Sequence, residues 1–220
     1  MPEQAEHGTA PSEPGTVQAE PGTVRPGGRT ARVRAAVLDA AGDVLAEQGF
    51  AHLDLADVAR RAEVGKTTVY RRWGSVTGLV ADLLADMAEQ SLPRTDTGTL
   101  RGDLRANAHL VRRALADPRQ GALFRAVIAA ATCDEKTSAA LRRFYEVRVA
   151  EWAPCVEQAV RRGELRTGTD AAAVVRAVSA PLYYQLLTAG SAPTEADADQ
   201  AADAAVAAAE AGVYSAAAAS

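Results

Sequence analysis

The chain has 220 residues, 48% of them apolar but only 5% aromatic, with a formal net charge of −4 and two cysteines. That length gives one or two domains with a sizeable core, and two lone thiols exclude a disulfide scaffold, while their spacing matches no zinc pattern. No apolar run reaches the roughly 18 residues of a membrane helix; abundant alanine with few runs rich in Val, Ile or Thr predicts an all-α chain.

Residues 1–28 are rich in Pro, Gly, Ser and Glu and contain Glu-Pro-Gly-Thr-Val twice, from Glu13 and from Glu20. Such a tract buries no core and is expected to form a disordered arm without the apolar stretch of a secretory signal. The first helix is expected over Ala31–Gln48, where Val33, Val37, Ala40, Ala41, Val44 and Leu45 recur at three- and four-residue steps and Gly49 closes the run. Asp54 suits an N-cap for a second helix carrying the stripe Leu55, Val58, Ala59 and Ala62. Gly65 marks a turn, and a third helix follows over Lys66–Trp73 with Val69 and Trp73 facing inward.

A short apolar-periodic helix, a break at glycine and a second short helix with Lys, Thr, Thr, Tyr, Arg and Arg make a helix-turn-helix whose second helix is built for phosphates and base edges. The acidic total does not oppose this. Residues 31–75 hold seven basic and six acidic side chains, and the stretch from Glu195 to Glu210 is free of Lys and Arg, so acidity concentrates elsewhere; DNA needs local positive charge only.

Leu79, Leu83, Leu84 and Met87 give a fourth helix its apolar face, linking the reading head to a helical body. In the body, Leu100 to Leu115 forms a helix ended by Asp117-Pro118, and Leu123 to Ile128 a short one. Ser138–Arg162 is a long helix that Pro154 should kink. Asp170 caps a helix with Val174, Val178, Leu182 and Leu186, and a last helix spans about Glu195 to Tyr214. The domain expectation is therefore an arm over 1–28, a helix-turn-helix domain over 29–76, and a body over 77–220, with a helix at 75–90 joining the last two.

The stretch from Arg34 to Leu79 resembles the tetracycline-repressor-like (TetR/AcrR) family of bacterial transcriptional regulators. The resemblance lies in Arg34, Val37-Leu38, Ala40-Ala41, Leu45 and Gly49-Phe50; in Asp57 to Ala62; and in Val64 through Trp73. It implies an all-α fold with an N-terminal three-helix helix-turn-helix domain and a C-terminal helical ligand and dimerisation bundle. It further implies a cytoplasmic homodimeric repressor that leaves a double-stranded DNA operator when a small organic effector binds. Three positions depart from the family pattern: Asp54 stands where Ser or Thr is usual, Glu63 where Gly is common, and Val76 where Lys is frequent. Asp54 and Val76 put backbone contacts in doubt, and Gly74 and Gly78 weaken the start of the fourth helix.

On this reading Lys66 and Tyr70, one turn apart, are the phosphate contacts, and Thr67 and Thr68 the candidates for base edges, Thr67 the stronger. Arg71, Arg72 and Arg34 are further backbone candidates. Aromatic and polar residues of the body, His109, Phe124, Tyr145, Arg148, Trp152, Tyr183 and Tyr184, are the candidate ligand site. Val178, Leu182 and Leu186 with the small-residue face Ala201, Ala205 and Ala208 are the candidate dimer interface. No catalytic, metal or cofactor pattern competes: the three histidines are scattered and no Glu-x-x-His pair occurs. Two other readings stay open: a TetR-fold scaffold with weakened DNA binding, motivated by Asp54 and Val76, and an all-α enzyme.

Overall fold

The computed structural model describes residues 27–90 and 93–215, and these are helical throughout, with no strand beyond one isolated bridge between Thr169 and Ser215. The expected arm over 1–28 lies almost wholly outside them. In chain order the helices are α1 (Gly27–Gln48), α2 (Leu55–Arg61), α3 (Lys66–Trp73), α4 (Val76–Glu89), α5 (Leu100–Ala116), α6 (Pro118–Ala131), α7 (Glu135–Arg162), α8 (Ala171–Thr188) and α9 (Glu195–Glu210). A short 3-10 turn, Phe50–His52, joins α1 to α2.

The helix starts follow capping chemistry. Asp54, Ser75, Thr99, Asp117, Asp134, Asp170 and Thr194 each accept a first-turn N–H of the helix they precede, satisfying donors that would otherwise be orphaned. Thr194 and Asp197 form a reciprocal capping box. The start of α4 is sounder than its two glycines suggest. Ser75 Oγ accepts Gly78 N at 3.1 Å, and a Cβ at position 78 would collide with the Trp73 carbonyl, so glycine there permits the tight α3–α4 corner.

Two boundaries differ from the sequence reading. Helix α1 begins at Gly27 rather than Ala31, because its first turn is exposed and has no apolar stripe to mark it. Helix α9 ends at Glu210, where Gly212 adopts φ 83° and Tyr214 turns away, its carbonyl accepting Asp170 N at 2.8 Å. Helix α7 is continuous through Pro154, as α8 is through Pro181.

One core runs through the molecule. Val37, Ala41, Val44, Leu45, Leu53, Leu55, Val58 and Val69 close the small N-terminal unit; Leu79, Leu83 and Leu84 carry it along α4. In the body α5 lies against both α8 and α9, α4 packs on α7, and α1 on α6. The alanines at 198, 201, 202, 205 and 209 are all buried, their small size letting α9 sit close to α5 and α8. Full burial of each Leu or Val contributes about 1.5–3 kcal/mol relative to exposure, so the orientation of α3 is set by core packing.

Candidate nucleic-acid interface and body cavity

Helix α3 has two faces. Val69 is fully buried and Trp73 nearly so, while Lys66, Thr67, Tyr70, Arg71 and Arg72 are exposed and Thr68 is partly so. Tyr70 leaves 47% of its surface in water, unusual for a large ring with a core beside it. Gly65 precedes the helix and offers no side chain as a cap, so the first-turn amides and the positive end of the helix dipole stay open to an anion. No acidic residue lies in α3. Its exposed face can therefore hold phosphate oxygens through Lys66 and Tyr70 while Thr67 offers a hydroxyl and a methyl outward.

The buried face is locked. Trp73 Nε1 donates to Asp82 Oδ2 at 2.9 Å, and Arg34 donates through Nη2 to Asp82 Oδ1 at 2.7 Å and through Nη1 to Asp86. Burial alone would raise the Asp82 carboxyl, but the Arg34 and Trp73 hydrogen bonds outweigh it and hold the pKa below its ordinary value. The hydrogen bond to Asp82 leads in raising Arg34 above its own ordinary value. This corrects the placement of Arg34 among the DNA contacts: its guanidinium is committed to α4, tying α1, α3 and α4 together. Arg72 lies 5.2 Å from the Trp73 ring and stacks on it while remaining exposed. In the turn before α3, Glu63 takes φ 54°, a left-handed backbone that explains why glycine suits the position. The Asp54 carboxylate accepts from Ala56 N and Asp57 N, so it is engaged in its cap.

In the body a cavity of about 430 Å³ opens between α4, α5, α6, α7 and α8. Phe124, Tyr145, Arg148, Trp152 and Tyr183 of the sequence-predicted ligand residues line it. Phe124, Phe144, Tyr145 and Tyr183 form a continuous aromatic cluster with centroids 5.3–5.8 Å apart in tilted and edge-on contacts. Burial pushes the Tyr145 phenol up to about 12, and burial with Tyr145 alongside puts Tyr183 well above its ordinary value, so both are neutral hydroxyls at neutral pH. Arg148 pairs with Glu151.

Two predicted ligand residues lie elsewhere. The Nε2 of His109 is 2.9 Å from Asp199 Oδ1, in a charged seam where Arg101 and Arg105 of α5 meet Asp203 of α9. Tyr184 points outward, 71% exposed, because the residue after Tyr183 turns about 100° around the helix. Asn107, Phe144 and Ser179 also line the cavity and were missed; Phe144 shared the apolar spacing of α7 with Tyr145, but the two polar residues had no signal in a single sequence.

The dimer assignment also needs correction. Val178, Leu182, Leu186, Ala201 and Ala205 are all buried within one protomer, and Ala208 is partly buried, because these faces meet α5 and one another. The outward side of α8 instead carries Ala180, Pro181, Tyr184 and Leu187, the last 49% exposed, and that of α9 carries Ala204 and Ala207.

A helix-turn-helix head with a cationic outer helix, mounted on a cavity-bearing helical body, defines a ligand-responsive class of DNA-binding regulator. Comparison with known proteins gives the family. Residues 37–83 match the model of bacterial regulatory proteins of the tetR family, and residues 94–205 match the tetracyclin repressor-like C-terminal domain. The HTH-type transcriptional regulator YdeS of Bacillus subtilis is 32% identical over 156 residues, covering 70% of this chain and 78% of YdeS. The DNA-binding transcriptional repressor TetR of Mycobacteroides abscessus is 33% identical over 158 residues, 71% of this chain and 83% of that one. The crystal structure of the TetR family transcription regulator SCO0332 superposes with a TM-score of 0.64 at 30% identity, over 80% of this chain and 97% of the other. The chain belongs to the tetR family: it is a helix-turn-helix transcriptional regulator, and its relatives are regulators rather than enzymes. No helix among the described residues is long and apolar enough to cross a membrane.

Proposed function

We propose that two copies of this chain bind a two-fold operator in double-stranded DNA, repress transcription in the bacterial cytoplasm, and leave the DNA when a small organic effector fills the body cavity. The observation that carries this is α3: a locked inner face and an outer face of Lys66, Thr67, Tyr70 and Arg71. Eight residues offer few contacts, so affinity at physiological salt needs a second copy, with half-sites about 34–36 Å apart or a multiple of that. The outward faces of α8 and α9, with Tyr184 and Leu187, are apolar enough to bring the copies together.

The coupling runs through α4 and α6. Met87, Gln90 and Gln120 line both the body cavity and a second cavity, of about 450 Å³, between α1, α4 and α6. Across that second space Arg119 of α6 clamps Asp43 at 2.5 Å and Asp39 at 2.6 Å on α1, lying so close to Gly42 that a Cβ there would meet its Nη2 at 2.9 Å. An occupant that shifts α4 against α6 therefore acts on the joint that sets the spacing of the two reading heads, and only one spacing matches the half-sites. Selection of sites from a random duplex library tests the reading: it should return a palindrome with half-sites one or more helical turns apart, and asymmetric or unenriched sequences would refute it.

A further inference from the structure

On the effector reading of the body cavity, we infer that its ligand is an uncharged aromatic molecule carrying a hydrogen-bond acceptor such as a ketone oxygen, received by Trp152 Nε1–H beside the Phe124–Phe144–Tyr145–Tyr183 cluster. The rings supply the first half. Four aromatic side chains in edge-on and tilted contact give a wall that matches a flat π-system better than a flexible chain, and about 430 Å³ holds a fused two-ring compound with a short substituent.

The polar groups supply the second. Four buried side-chain atoms lack a partner among the described residues, those of Asp103, Arg112, Thr137 and Trp152, and of these residues only Trp152 lines the cavity. Trp152 is 2% exposed, and a buried N–H without an acceptor is a standing cost. The cavity is the space beside it from which an acceptor can come. Asn107, also lining the cavity and 3% exposed, adds a buried carboxamide to the same lining.

Charge decides against an anion. Arg148 is already matched by Glu151, and the remaining lining cation, Arg113, is exposed. A carboxylate among the rings would lose its hydration for no free counter-charge there.

Three near-isosteric probes, 2-acetonaphthone, 2-ethylnaphthalene and 2-naphthoate, titrated calorimetrically into the full chain test this. The ketone should bind about tenfold tighter than the hydrocarbon and tighter still than the carboxylate. Trp152→Phe, which keeps a ring and removes the N–H, should erase most of the ketone's advantage over the hydrocarbon. The wild-type series carries the test even if that variant does not fold. A carboxylate that binds best overturns the ligand class and leaves the effector reading standing; so does failure of all three to bind. Equal binding of ketone and hydrocarbon, or an advantage that survives Trp152→Phe, overturns the donor role. The effector reading is judged separately, by whether occupancy by any compound weakens operator binding.

Discussion

At the scale of single residues, Asp82 is where the reading head is held. It accepts from Trp73 behind the outer helix and from Arg34 across 48 residues of sequence. The folded protein holds its proton less tightly than the unfolded chain does. The stabilisation is therefore complete above the ordinary carboxylate pKa of about 3.9 and is lost as pH falls through the lower folded value. Asp82→Asn should lower the melting temperature at pH 7 and flatten the acid limb of the stability profile, readable by thermal denaturation between pH 7 and 3. An unchanged acid limb would show that the pair contributes nothing. Such contacts also mark where sequence reading stops. The inward Val69 and Trp73 and the cap at Asp54 are encoded within one or two helical turns and were legible. The partners of Arg34 and His109 lie 48 and 90 residues away, where periodicity carries no information.

At the scale of elements, the lesson is in α8 and α9. Their most regular apolar faces were visible in the sequence, yet a stripe says only that something covers it, and here the cover is the protomer's own α5. The two sides of α8 predict opposite outcomes. Leu182→Ala should cost about 2–5 kcal/mol of protomer stability through the cavity it leaves, measured by denaturant unfolding. Tyr184→Glu together with Leu187→Glu should leave each protomer folded and shift the mass seen by analytical ultracentrifugation from dimer to monomer. A dimer that survives both glutamates would exclude this face as the interface. The helix order and most boundaries were legible because capping residues precede nearly every helix. The ligand cavity was legible only as a set of rings, since which rings converge depends on how five helices cross.

At the scale of the whole molecule, the chain is a reading head and a sensing body joined at α4 and at the Arg119 clamp on α1. Arg119→Ala removes both ion pairs of the clamp without touching the α3 face or the body cavity's aromatic wall. It should keep effector affinity while shrinking, by several-fold, the factor by which effector weakens operator binding. Calorimetry for the effector and fluorescence anisotropy for the operator separate the two effects. An unaltered factor would remove the clamp from the coupling. Acidity overall and cationic character locally also fit this scale, since the duplex meets α3 and the Lys- and Arg-free stretch of α9 lies in the body.

The most direct measurement is binding of the purified chain, across a range of salt concentrations, to the DNA flanking its own gene and to random duplex, alongside a Lys66→Ala/Tyr70→Ala variant. The account predicts steep loss of wild-type affinity with rising salt, clear preference for the flanking DNA, and collapse of the variant to its random-duplex level with melting temperature unchanged, because both side chains are exposed. A variant that binds like the wild type, or a wild type that does not distinguish the two duplexes, would contradict it.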